Sequence, residues 1–355
     1  MSDQAAMSRI PPANLVDAPD DLEAINRLYR DRRWSDGLPI VPPTQARVDR
    51  MLAAVPDRAR DELVAVLAPA FHAATLERIA INAVMAGCDA AMMRPLVAAV
   101  EAVAATEFNL QALQATTNPV AVWIVVNGPQ SSALQLNATF NCLGEGSWAN
   151  ATLGRALRLI LRNVGGALPG ELDRATHGQP GKYSFCCAEN EAASPWAPLH
   201  VERGFAAGES TVTVIGAEGT MNMNSHSKDA DELIRAFGET MVHPPSNEYT
   251  HGGEPWIVIG PEHAEILHRA GYGKNDVKAK LWDASRMSAG RMAMRDFERA
   301  VQSRRAELGE ITRETMLPIA PAPGDIGIVV AGGPGTHSVY VPCFGNSRAV
   351  TRAFA

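Results

Sequence analysis

The sequence predicts an α/β protein: a mixed or mostly parallel sheet with helices on both faces, and an α-rich N-terminal third. Three observations carry this. The segments 120–129, 210–219, 255–264 and 325–335 share one plan, a continuous apolar, β-rich run ending in glycine and a turn. Helical patterns follow two of them, at 228–241 and 262–270, as expected for strands buried on both sides. The chain before residue 113 reads as helical.

The elements follow in order. Residues 21–33 form an amphipathic helix that stops at WSDGLPIVPPT (34–44), where Pro42 and Pro43 forbid a helix and Thr44 can cap the next, 45–55. Residues 75–105 are alanine-rich and apolar nearly all round, broken between Gly87 and Pro95, so they are expected to be buried. Their narrow polar stripe is Thr75, Arg78, Asn82 and Asp89. A helix over 151–164, with Asn150 as its cap, sets an apolar side against Arg155, Arg158 and Arg162. Residues 307–324 are the nearest thing to a linker. The expected organisation is a flexible arm, 1–20, then one α/β unit, 21–355, divisible into an α-rich part, 21–112, and a core, 113–355.

Composition narrows the function classes. The chain has 355 residues, 46% of them hydrophobic and 20% charged, with a net charge of −7. An acidic surface argues against nucleic acid or an anionic membrane as partner. No apolar run of spanning length and no signal-peptide layout is found. Five cysteines without a CxxC motif fit a reducing compartment, and the cytoplasm is expected.

Candidate site residues come in groups. Asn118 and Asn127 flank the first strand, and Asn150 opens a helix; their uncharged amides suit orienting a polar substrate. Arg155 can grip a carboxylate, and any of the three arginines can equally face solvent. The stretch 177–205 gathers His177, Lys182, Cys186, Cys187, Glu189, Glu191, His200 and Glu202. A thiolate at Cys186, or at Cys142, would be a nucleophile if neighbours lowered its pKa. His200 with Glu189 and Glu191 suggests one divalent metal, although the spacing matches no established ligand motif. His226 and His337 stand near strand ends as candidate proton carriers. Gly332, Gly333 and Gly335 would let backbone N–H groups approach an anion.

Several strings together resemble a bacterial family associated with UGSC selenoproteins: WSDGLPIVPPT (34–44), INAVMAGC (81–88), QATTNPV (114–120), NATLGRALRLILRNVGGALPGE (150–171), QPGKYSFC (179–186), SPWAPLHVERGF (194–205), TVTVIGAEG (211–219) and AGGPGTHS (331–338). Such proteins are similar to subunits of the glycine and proline reductase systems, in which a selenocysteine or cysteine of a small subunit attacks a carbon–heteroatom bond. The UGSC string is absent from this chain. The resemblance therefore implies a substrate-binding enzyme subunit, of reductase or lyase type, for a small anionic molecule, with the redox thiol or selenol on a separate small partner. A homo-oligomer is expected. The competing readings are a metal-assisted hydrolase or lyase using Glu189, Glu191 and His200, and a non-catalytic binding or assembly subunit. The cofactor is none, or one divalent metal.

Overall fold

A computed structural model describes residues 12–355. Part of the expected arm, residues 1–11, lies outside the described residues. Residues 12–20 carry no helix or strand and run along the protein, with the Ala13 N–H donating to Glu77.

The N-terminal third is helical, as the pattern predicts. It holds α1 (Leu22–Asp31), α2 (Gln45–Leu52), a hairpin of β1 (Leu63–Leu67) and β2 (His72–Thr75), then α3 (Leu76–Ala86), α4 (Met93–Val103) and α5 (Leu110–Ala115). Thr75 caps α3 through its side chain, and Gly87 ends it at φ +89°, a left-handed conformation that favours glycine. The polar stripe of α3 is a zipper, not a ligand face: buried Asn82 donates to the Arg78 carbonyl and accepts from Asn163.

Next come β3 (Ala121–Asn127), α6 (Pro129–Ala133), α7 (Trp148–Asn163), β4 (Cys186–Ala188), α8 (Leu199–Glu202) and β5 (Ser210–Ala217). The rest comprises β6 (Met221–Asn224), α9 (Ala230–Met241), α10 (Asn247–His251), β7 (Trp256–Ile259), α11 (Pro261–Arg269), α12 (Lys274–Ala284), β8 (Met287–Ser288), α13 (Met294–Leu308), β9 (Met316–Leu317), β10 (Gly327–Val330), β11 (His337–Val341) and β12 (Val350–Phe354).

The four expected strands are all present, but they belong to two four-stranded mixed sheets. One has the order β12-β5-β3-β4 and the other β10-β7-β11-β6. Only β3 with β4 and β7 with β10 run parallel; the other neighbours in both sheets are antiparallel. Alternation along each strand explains the architecture. On β3, Ile124 and Val126 face a core shared with α3, α4 and α7, while Ala121, Trp123 and Val125 face a second core. On β7, Trp256 and Val258 join that second core, while Ile257 and Ile259 face α9, α11 and α12. The two sheets therefore pack face to face, with helices outside each. Trp123 meets Trp256 edge-on at 6.0 Å between centroids and stacks on Phe185 at 5.5 Å. The continuous apolar runs report burial on both faces correctly; one of the covering layers is a sheet.

Among the described residues no single helix is long and apolar enough to cross a membrane.

Candidate functional site

A basic pocket lies under the second half of α7. Arg158 and Arg162, one turn apart, project on the same side of the helix toward the segment 169–183. They bound a cavity of about 260 Å³ with Lys182, Asp173, His177, Gln179 and Tyr183. Asp173 is the hub: it accepts from Arg158 at 2.8 Å and from Lys182 Nζ at 2.8 and 2.7 Å. Arg162 has no acid. Its Nη2 donates to the Arg33 carbonyl at 3.1 Å, and its buried Nε has no partner.

The charge balance of this pocket is positive. Arg158, Lys182 and Arg162 face one carboxylate, Asp173; the other acid at the rim, Asp36, is taken by Arg155. The pKa shifts follow. Burial, then the charges of Arg158 and Arg33, push the Arg162 guanidinium down. Burial also lowers Lys182, its bond to Asp173 opposing and the Arg158 charge adding. Burial pushes the Asp173 carboxyl up, but the hydrogen bond and charge of Lys182, the Ala175 N–H and Arg158 outweigh it and hold it below the usual range. Such a pocket favours an anion.

A second polar cluster forms where the carboxyl ends of β3, β4 and β10 converge. Fully buried Asn127 donates to Glu189 at 2.6 Å and to Glu191 at 3.0 Å, and the Gly128 N–H donates to Glu191 at 2.7 Å. Glu189 also accepts from the N–H groups of Leu199 and Val330, and Lys274 Nζ stands 4.0 Å away. Burial raises the Glu189 pKa against these partners. His200 is fully buried, 3.8 Å from Glu191, and among the described residues neither ring nitrogen has a hydrogen-bond partner. Glu189, Glu191 and His200 are thus neighbours, as the sequence suggested, but they do not form the expected metal centre. The Glu189 oxygens are occupied by N–H donors, and among the described residues no three metal-binding side chains converge.

The remaining expectations divide. Lys182 lines the basic pocket, bound to Asp173. Arg155 is drawn to the protein's own Asp36: its Nε and Nη2 bind that carboxylate at 2.8 and 2.9 Å, and Nη2 also binds the Pro39 carbonyl, so its charge is paired within the fold. Asn150 is not the cap of α7; Ser147 is. Asn150 lies buried in the first turn and ties down the preceding loop, accepting from the Asn137 N–H and donating to the Asn137 and Cys142 carbonyls. Asn118 turns back onto Thr116. It sits at the opposite end of β3 from Asn127, roughly 30 Å away along an extended chain, so the asparagines do not converge on one substrate.

Cys186 is corrected as well. Successive residues of β4 point to opposite faces, and Cys186 turns into the core beside Gly154 of α7, where burial raises its thiol pKa. Cys142 behaves differently: the neighbouring Cys187 thiol, with the N–H groups of Cys142 and Leu143, lowers its pKa against burial. The Gly332–Gly335 turn is no anion cradle, because the Gly332 N–H is bound to the Ala138 carbonyl and the Phe140 ring lies over Gly333. His226 and His337 do lie together at the end of the β6–β11 pair. His226 contacts Thr336 and His337 contacts Asn222, both at 3.1 Å and both exposed.

Three features escaped sequence reading. Asp173 lies in a plain loop, and Cys187 was read only as the neighbour of Cys186. The third is a pair of neighbouring carboxylates, Glu248 buried and Glu218 half-buried: Glu248 accepts from Tyr340, Ser246 and the Cys343 N–H, and burial pushes it up to about 7; burial, with Glu248 nearby, brings Glu218 to about 7 too. The apolar strings around them gave no sign. No family model matches the sequence, and no curated protein matches it.

Proposed function

We propose that this chain is the substrate-binding subunit of an enzyme acting on a small anionic organic molecule, held in the basic pocket by Arg162, Arg158 and Lys182. One observation carries the reading: a half-buried Arg162 without an acid partner among the described residues, beside two cations that share a single carboxylate. Desolvated cations in surplus strengthen their hold on a carboxylate or phosphate, and the planar guanidinium suits both. His177 and Tyr183, exposed at the rim, add a proton carrier and a hydroxyl.

The reaction class follows from the resemblance to the UGSC-associated family: thiol- or selenol-dependent cleavage or reduction of a carbon–heteroatom bond, with the reactive group on a separate small subunit. The position of this chain's own cysteines supports that division. Cys186 is sealed in the core, and Cys142 lies beyond Asn150, about 18 Å along α7 from Arg162 at 1.5 Å per residue.

The test is calorimetric titration of sulfate and succinate into the purified chain, with Arg162→Gln and Lys182→Met beside it. We expect each substitution to weaken binding by about tenfold or more, near 1.4 kcal/mol. Equal affinity in Arg162→Gln and the wild type would remove the pocket from the reading. Native mass spectrometry of the untagged protein from its own host then shows whether a small thiol- or selenol-bearing chain travels with it.

A further inference from the structure

The helices α1, α2 and α3 do not close on one another. They enclose a cavity of about 540 Å³, against about 260 Å³ for the basic pocket, and its outer wall is the segment 13–20. The sequence makes this space apolar. Ile25, Leu28 and Tyr29 stand at i, i+3 and i+4 on one stripe of α1, and each stays only half-buried where it lines the cavity. Val48 of α2, with Ile81 and Met85 of α3, completes the helical walls. Trp34 and the rigid Pro42–Pro43 pair line it too.

The outer wall does not fill the space. Leu15 is 85% exposed and Val16 44%, so the apolar side chains of that segment turn largely to solvent. Among the described residues, one hydrogen bond ties residues 12–20 to the rest of the fold, from the Ala13 N–H to Glu77 at 2.9 Å. A wall held so lightly can part to admit a ligand. The enclosed volume lies within the roughly 300–1,000 Å³ of small-molecule sites.

The polar groups in the lining are few and of one kind. Among the described residues, its charged side chains are the carboxylates of Glu77 and Asp20, and no Lys, Arg or His lines it. Glu77 also binds Arg60 at 2.7 Å, and Asp20 is exposed at the rim. Two further oxygens gather at Trp34. Asn163 donates its Nδ2 to the Trp34 carbonyl at 2.9 Å and to Asn82 at 2.8 Å, and its Oδ1 accepts no hydrogen bond among the described residues. Tyr29 accepts the Trp34 N–H on its own carbonyl at 2.9 Å, and its half-buried hydroxyl has no partner among the described residues. A lining of carboxylate, amide and phenol oxygens without a cation repels a carboxylate or phosphate and suits an ammonium group.

We propose that this cavity is a binding site for a mainly apolar primary amine, its aromatic or aliphatic body between the helices and its ammonium group on the Asn163 and Tyr29 oxygens. The site is separate from the basic pocket, although the two are neighbours: Trp34 lines the one and Asp36 the other. The two cavities take ligands of opposite charge, and neither reading depends on the other.

Phenylbutylamine is the probe, titrated into the intact chain and followed by saturation-transfer NMR, with phenylbutanoate as its anionic counterpart. The amine should bind with a Kd on the order of 1 mM or tighter. Phenylbutanoate, which the basic pocket can take, should not displace it. Leu28→Trp puts an indole into the space and should weaken the amine by about tenfold or more. Tyr29→Phe removes one oxygen, keeps the packing, and should weaken it about threefold; it serves where Leu28→Trp does not fold. No binding by the amine, its displacement by an equal concentration of phenylbutanoate, or full affinity in folded Leu28→Trp overturns the proposal.

Discussion

Asp173→Asn is the sharpest test of the electrostatics of the basic pocket. It preserves shape and removes the one carboxylate that Arg158 and Lys182 share. Their side chains are 13% and 16% exposed and that of Asp173 is 4% exposed, so the charges are poorly screened. Removing one member of a buried ion pair costs roughly 3–5 kcal/mol, and partial exposure of the cations places this case at about 3. With ~2.1 cal/mol/K of unfolding entropy per residue over 355 residues, that lowers Tm by about 4 °C. The pH dependence has a definite sign. The folded Asp173 pKa is depressed, so its contribution is present above the unfolded value near 4 and fades as pH falls through the lower folded value. The wild-type advantage should therefore persist at neutral pH and shrink in acid. Sulfate supplies the distinguishing readout: an anion in the pocket replaces the missing charge. Differential scanning calorimetry at equal ionic strength, in chloride and in sulfate, should show sulfate raising the variant's Tm more than the wild type's. A variant within about 1 °C of the wild type, or an equal sulfate response in both, refutes the surplus of positive charge.

Two further outcomes are expected. Asn150→Ala removes three hydrogen bonds from a buried side chain and leaves the Asn137 N–H without its acceptor, which should cost on the order of 1–3 kcal/mol in urea unfolding and speed reaction of Cys142 with a thiol reagent. Glu248 has a folded pKa of about 7, above its unfolded value, so the folded state holds the extra proton between roughly pH 4.5 and 7 and stability falls as pH rises across that window. Glu248→Gln should flatten this fall, by up to about 3 kcal/mol at the alkaline end, in denaturation midpoints measured across the window.

The elements were legible because their signals are local. Apolar runs ending in glycine marked β3, β5, β7 and β10, and the caps of α3 follow from Thr75 and Gly87. What covers a strand is not local. A run buried on both faces reads the same under a helix as under a second sheet, so the face-to-face packing of Trp123 and Trp256 was out of reach. The site divided in the same way. Arg155, Arg158 and Arg162 look equivalent in sequence, yet Asp36, 119 positions from Arg155, claims that residue, while Arg162 receives only a carbonyl. Ser147 and Asn150 are both good helix caps, and the loop that needs an anchor decides between them. Cys186 and Cys187 separate only once the three-residue β4 is recognised, a strand too short to show a period.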